Sequence, residues 1–375
     1  MRTKNPYARL SLAAGALLAV AACSPPSSSP APSGSAGGAA TAKSASDVGG
    51  VAALYALAQK EGALNVIALP PDWANYGAII TGFQAKYPGI KVNSANPNGS
   101  SQDEVNAIQQ QAGTDRAPDV VDVGMKVALA NTTLFAPYQV STWSDILASQ
   151  KESTGLWYQD YGGYMSIGYD SSKVPTITSV ADLLKPAFKG KVALNGDPTK
   201  ANAALNGVMM AGLAQGGTLD DISKGVDFFH QLKKLGNFVP VQATTATVKN
   251  GTTPVVFDWD YLSATHGTDV PGWKIFVPSN AVLGGYYAQA INANAPHPAA
   301  ARLWEEYLYS VEGQNLWLKG GARPVEMAAM TTAGTIDATA AAALPQVAGT
   351  PVFLSPAQAT AAGAFLSANW AKAIS

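Results

Sequence analysis

The sequence predicts an α/β fold in which helices cross over a mostly parallel sheet. Short apolar runs of strand length alternate with stretches whose apolar residues recur at helical spacing, and that order implies parallel strands joined by crossover helices. Pairs such as Pro70-Pro71 and Pro88-Gly89 punctuate the alternation and stop each element. With 375 residues, 47% hydrophobic and 13% charged, the chain can bury one large core or two medium ones.

Val51, Leu54, Tyr55 and Ala58 mark a first helix, closed by Lys60-Glu61-Gly62, and Leu64 to Leu69 reads as the first strand. Tyr76, Ile79, Ile80, Phe83 and Tyr87 form a second helical stripe, followed by a strand at Ile90-Lys91-Val92. The loop from Asn96 to Ser101 leads into a helix from Gln102 to about Ala112, where Ser101 and Glu104 fit a capping box. Val120-Val121-Asp122-Val123 is a third strand. Val192-Ala193-Leu194 and Val255-Val256-Phe257 have strand composition. Helices are expected at Asn202–Ala214, at Ile222–Leu235 with Val226, Phe229, Leu232 and Leu235 at core spacing, and around Pro356 to Lys372.

Arg2, Lys4 and Arg9 precede an apolar segment, Leu10 to Ala22, that is too short for an ordinary membrane span and reads as a secretory signal. Val20-Ala21-Ala22-Cys23 resembles the bacterial lipobox, which implies cleavage before Cys23 and lipidation of its thiol; the alternative is an ordinary signal with a chance cysteine. Cys23 is the chain's one cysteine, so once it is lipidated disulfides and thiolate metal sites are excluded. The Pro- and Ser-rich stretch from Ser24 to Ser46 reads as a flexible tether. Loss of residues 1–22 removes three of 24 basic and none of 25 acidic residues, taking the formal net charge from −1 to −4. No basic run or stripe appears, which argues against a nucleic-acid partner.

Tyr87-Pro88-Gly89-Ile90-Lys91-Val92, Ala117-Pro118-Asp119-Val120-Val121 and Leu134-Phe135-Ala136-Pro137-Tyr138 together resemble bacterial extracellular solute-binding proteins of ABC importers. Ala181 to Val192 is similar to the segment that opens the second lobe in the iron/polyamine/thiamine branch. Arg302 to Leu308, Ser310 to Gln314 and Gly320 to Val325 match its C-terminal helix pair and the turn after it. The resemblance implies a type 2 periplasmic-binding-protein fold: two α/β lobes, each with a mostly parallel sheet, hinged by crossing strands. On that pattern 1–22 is the signal, 23–48 the tether, 49–165 the first part of lobe one, 166–285 lobe two and 286–375 the return into lobe one. Ser166 to Tyr169 is the expected outgoing crossover and Gly284 to Ile291 the return. The implied partners are a small solute, a membrane permease with its ATPase, and the membrane itself through a lipid anchor; the expected location is extracytoplasmic, as a monomer and without a cofactor.

Pro254 to Tyr261 holds the densest candidate chemistry, because an apolar run ends in Asp258-Trp259-Asp260-Tyr261. Ligands of open α/β sheets bind beyond the carboxyl ends of strands. An extended chain would place Asp258 and Asp260 on one face and Trp259 and Tyr261 on the other. Carboxylates beside aromatic faces suit an organic cation; alternatively, Asp258 caps a helix starting at Trp259. Asp72, Trp73 and Tyr76 follow the first strand, and Ser100 and Ser101 offer an anion seat at a helix N-terminus or merely cap it. The resemblance places Asp197 where polyamine binders carry an acidic ligand contact and Trp259 at a cleft-lining tryptophan. Lys200 stands near their second carboxylate, and Gly285-Tyr286-Tyr287 replaces their Trp-x-Asp, leaving Tyr287 as an aromatic wall. The adjacent tyrosines of ferric-iron binders are missing near Asp258, so a ferric-iron or phosphonate binder is the alternative within the family.

His230, His266 and His297 stand singly, the first expected on a helix surface and the others in loops. Asp258 and Asp260 could serve a tethered glycosidase, yet the globular part has no G-x-S-x-G, H-E-x-x-H, P-loop or C-x-x-C. A purely structural envelope lipoprotein would show no ligand-dependent stability.

Overall fold

The computed structural model describes residues 36–345 and 347–375. The signal segment, Cys23 and the first half of the expected tether lie outside them. The second half of that tether is not loose. Ala36–Thr41 forms a short helix (α1), a 3-10 turn follows at Ala45–Val48, and Ala39, Ala42, Ala45 and Val48 are buried. Small side chains let this segment lie flat on the body, where the buried Arg302 guanidinium donates to the carbonyls of Ala40 and Ala42.

The first lobe is built from α2 (Val51–Glu61), β1 (Ala63–Ile67), α3 (Tyr76–Lys86), β2 (Lys91–Ala95), α4 (Ser101–Gln110), β3 (Val120–Gly124), α5 (Met125–Ala130) and β4 (Phe135–Ala136). Gly62, at φ 74°, ends α2 in the left-handed conformation that glycine adopts without penalty and turns the chain straight into β1. The capping box at α4 sits one residue earlier than the sequence suggests. Ser100 is the cap and Asp103 its partner, which frees Ser101 and Glu104 to bind the backbone N–H groups of Gly124 and Asp122 on β3.

β5 (Tyr158–Asp170) then crosses to the second lobe, which contains β6 (Val192–Leu194), α6 (Asn202–Ala214), α7 (Ser223–Leu235), α8 (Thr245–Lys249), β7 (Val255–Trp259), α9 (Asp260–Asp269) and β8 (Trp273–Phe276). β9 (Leu283–Asn292) returns, followed by α10 (Pro298–Leu308), α11 (Val311–Lys319), β10 (Arg323–Pro324), α12 (Met327–Ala333), α13 (Ala338–Ala343), β11 (Val352–Phe353) and α14 (Pro356–Ala373). The first half of β5 pairs with β9 and its second half, from Met165 to Tyr169, with β7. The change of partner therefore falls between Tyr164 and Met165, and Ser166 to Tyr169 already belongs to the second lobe.

The two-lobed α/β class holds, but the sheet is mixed. β1–β2, β6–β7 and β9–β11 are parallel, whereas β3, β4 and the crossing strands pair antiparallel. A strand that runs out to one lobe and another that runs back must oppose each other, which a crossover pattern read locally does not reveal. The C-terminal segment also departs from a simple return into lobe one: α14 packs against α5 of the first lobe and against α6 and α7 of the second. Its Trp370 lies among Phe229 and Phe238, and its last turn accepts a 2.7 Å hydrogen bond at Ala373 from His230.

Candidate ligand-binding cleft

A cavity of about 570 Å³ opens between the lobes. The first lobe supplies the loop after β1, the turn into α4, the middle of β3 and Tyr287 of β9; the second supplies the loops after β6 and before α8, the end of β7 and one face of α9. The loop after β1 is bent sharply. Ala68, Ala74 and Asn75 have φ of 57°, 44° and 70°, a left-handed conformation that costs a non-glycine residue about 1–3 kcal/mol and here swings Asp72 and Trp73 into the opening.

Asp72, Trp73, Ser100, Ser101, Asp197, Asp258 and Tyr287 line this cavity. Tyr76, Trp259 and Asp260 do not. β7 continues through Trp259, and α9 begins at Asp260, so the extended run ends before the second aspartate and the shared carboxylate face never forms. Asp260 instead sits fully buried behind the cleft, in a 2.8 Å ion pair with Arg323 and accepting from the backbone N–H of Tyr164 and Tyr261. The Trp259 indole is buried against Tyr261 and donates to the Tyr287 hydroxyl at 3.3 Å. Tyr76 is buried behind the cleft floor.

The lining is acidic. Asp72, Asp103, Glu104, Asp122, Asp197 and Asp258 stand against one lysine, Lys200, and His266. Asp258 is 2% exposed, with Asn195 donating to Oδ2 at 2.9 Å and its neighbour's N–H to Oδ1 at 2.8 Å. Burial outweighs these two donors and raises its pKa from 3.8 to about 7. Asp122 behaves alike: burial raises it to about 7 although the phenols of Tyr76 and Tyr161 both donate to Oδ2, at 2.7 and 2.8 Å. Two donor chains end on that oxygen. The Trp73 indole donates to Tyr161 at 2.7 Å, and the Gln289 amide donates to Tyr76 at 3.1 Å. Glu104 is pushed up by burial and by Asp122. Burial lowers His266, which lies on α9 in the cavity wall rather than in a loop, with its ring edge-on to Trp273. His297 pairs with Asp119 at 2.9 Å, outside the cleft lining.

Ser100 and Ser101 make a poor anion seat. The Ser100 hydroxyl is held by Asp103 at 2.8 Å, Ser101 by Gly124, and two carboxylates already occupy the first turn of α4. Asp197 is exposed near the rim and folds onto Thr199. Asp122 and His266 escaped notice in the sequence as cleft residues. The available signal for Asp122 is a carboxylate in the middle of an otherwise apolar strand.

The family model for bacterial extracellular solute-binding proteins matches residues 117–342, which span β3 to α13 and both crossing strands. The chain belongs to that family. It is an extracytoplasmic solute-binding protein of an ABC importer, a binding protein and not an enzyme, and it works with a membrane permease. No curated protein sequence matches it. Among solved structures, the solute-binding protein is similar to AfuA from Actinobacillus pleuropneumoniae with fructose-6-phosphate bound, at 17% identity over 83% of this chain and 98% of that one, TM-score 0.65. It is similar to AgtB from A. tumefaciens R10 in complex with agropinic acid, at 16% identity over 84% and 98%, TM-score 0.64. Iron-bound HitA from Pseudomonas aeruginosa follows at 18% over 81% and 97%, TM-score 0.58. These likenesses establish the two-lobed fold. The three neighbours hold chemically unlike solutes, so the fold does not select the ligand and the lining side chains must. Among the described residues no helix is long and apolar enough to cross a membrane.

Proposed function

We propose that this solute-binding protein captures a small cationic or zwitterionic organic solute, polyamine-like or thiamine-like, between its lobes and delivers it to its permease. The observation that carries the reading is the excess of carboxylates in the cleft, three of which, Glu104, Asp122 and Asp258, are buried without a cationic partner. A buried carboxyl held near neutral pKa regains its ordinary ionisation when an opposite charge arrives. Asp258 and Asp72 lie inside the opening and Asp197 at its rim, with Trp73 and Tyr287 as aromatic faces for cation–π contact. The carboxylates at the α4 terminus disfavour a phosphonate. The protein is further read as a monomer anchored by lipid at Cys23, released from a signal peptide over residues 1–22.

A thermal-shift screen of putrescine, spermidine, thiamine, thiamine phosphates, aminoethylphosphonate and ferric citrate tests the ligand class. A cation at about 100 times its Kd stabilises by about 2.7 kcal/mol, or roughly 3–5 °C for a chain of this size. A shift with the phosphonate or ferric citrate and none with the amines rejects the reading. Metabolic labelling with a radioactive fatty acid, lost in Cys23→Ser, tests the anchor.

A further inference from the structure

The chain crosses between the lobes a third time after α13, running to β11, which pairs with Leu283 and Gly284 at the second-lobe end of β9. α14 then lies on the second lobe at both of its ends. Gln358 in its first turn donates to Asp220, between α6 and α7, at 2.8 Å, and Trp370 in its last turn sits against Phe229 and Phe238. Between these anchors α14 meets the first lobe, where the stem of Lys126 on α5 covers Gly363. A Cβ added at Gly363 would overlap that stem. The same lysine reaches on to the Thr199 carbonyl, 2.8 Å from its Nζ, in the loop after β6. One side chain of the first lobe is thus held between two parts of the second.

We propose that Lys126 is a bolt that the first lobe inserts into a socket of the second, walled by Gly363 of α14 and ended by the Thr199 carbonyl, and that α14 travels with the second lobe when the cleft opens. The two attachments of α14 differ in kind. Trp370 is buried among two phenylalanines, and an aromatic side chain of that size withdraws a large apolar surface from water. Gly363 offers the lysine stem backbone alone. When the lobes part, the ammonium and the Thr199 carbonyl both regain water, so the bolt withdraws at small cost while the aromatic anchor stays seated. α14 does not line the cleft, yet by shaping the socket it sets how often the empty cleft opens. The device acts on the lobes rather than on the solute, so it does not rest on the cationic reading.

The test is pulsed electron–electron resonance on the unliganded full chain carrying Cys23→Ser, with spin labels on cysteines introduced in pairs. Gln109 on α4, Gln231 on α7 and Ala368 on α14 are exposed and report on the first lobe, the second lobe and the helix. The 109–231 pair measures opening. Gly363→Ala, which crowds the lysine stem, is expected to raise the share of its long distance about twofold or more, because the closed state loses a contact the open state lacks. Lys126→Met keeps the stem and removes the ammonium, and it is expected to do the same without any change in α14. The two together should open the cleft no further than the larger single change, since both disable one bolt. As 109–231 lengthens, 109–368 should lengthen with it and 231–368 should stay fixed. A 231–368 distance that grows on opening while 109–368 holds assigns α14 to the first lobe and overturns the proposal. So do 109–231 distances unchanged by both variants, or effects of the two that simply add.

Discussion

At the scale of single residues, the chemistry of the cleft is governed by carboxyls buried without a cationic partner, Glu104, Asp122 and Asp258. Asp122 and Asp258 stand near pKa 7 in the folded chain against an ordinary value of 3.8. Each binds its proton more tightly folded than unfolded. Their stabilising contribution is therefore fully present below about pH 4 and lost as pH rises through about 7. The unliganded protein should melt at progressively lower temperature from pH 5 to pH 8 through these groups. Cation binding should run the other way: the proton must leave before the charge can pair, so affinity falls by up to about tenfold per pH unit below 7 for each proton displaced. Calorimetry in buffers of different ionisation enthalpy measures that proton release directly; an affinity flat between pH 5.5 and 8 would remove both carboxyls from the contact. Asp258→Asn should cost a cationic ligand about 1–3 kcal/mol. In the unliganded protein the same change relieves a buried charge and should leave the pH-dependent loss of stability smaller.

Secondary-structure elements explain which part of the site could be read from the sequence. Val255 to Phe257 reads as a buried strand and forms one, and Asp258 near its end, singled out because ligands bind beyond strand ends, lines the cavity. The next two residues were placed wrongly for a physical reason. Strand periodicity puts residues 258 and 260 on one face only while the chain stays extended, and the backbone turns helical at Asp260. What holds that turn is long-range: Arg323, more than sixty residues later, pairs with Asp260, and the N–H of Tyr164 on β5 donates to it. No local pattern contains those partners. The same holds for Gly285, read only as part of a departure from a motif, where an added Cβ would lie 2.5 Å from the Trp259 ring. Gly285→Ala should thus push the Trp259 indole off Tyr287, costing about 1–3 kcal/mol as overpacking and loosening the cleft wall. Urea unfolding and the Trp fluorescence of the variant check the two effects separately. The C-terminal helix was legible as a helix but not in its destination. Trp370 is 4% exposed between Phe229 and Phe238, so Trp370→Ala should destabilise by about 3–5 kcal/mol.

For the whole molecule, the question is what sets the balance between open and closed lobes. The crossing strands β5 and β9 are paired to each other and to both lobes, so they permit bending without choosing a state. The choice falls to α14, which packs on both lobes, and to contacts across the mouth. Thr245 of α8 donates to Asp72 in the loop after β1, and Lys126 of α5 donates to the Thr199 carbonyl at 2.8 Å. Each joins one lobe to the other, and neither needs a ligand. They are worth only about 0.5–1.5 kcal/mol apiece, since Asp72 and Thr199 would be solvated in the open form. Such a margin is small enough for a bound solute to dominate and large enough to bias the empty protein toward closure. Thr245→Val removes the donor to Asp72 while keeping the side-chain shape. It should increase the radius of gyration of the unliganded protein in small-angle scattering and weaken ligand binding by a few-fold, because the apparent Kd rises as the competent fraction falls. With saturating ligand the scattering of variant and parent should coincide. If the variant instead stays expanded when loaded, the contact is part of the liganded lock rather than a bias on the empty cleft.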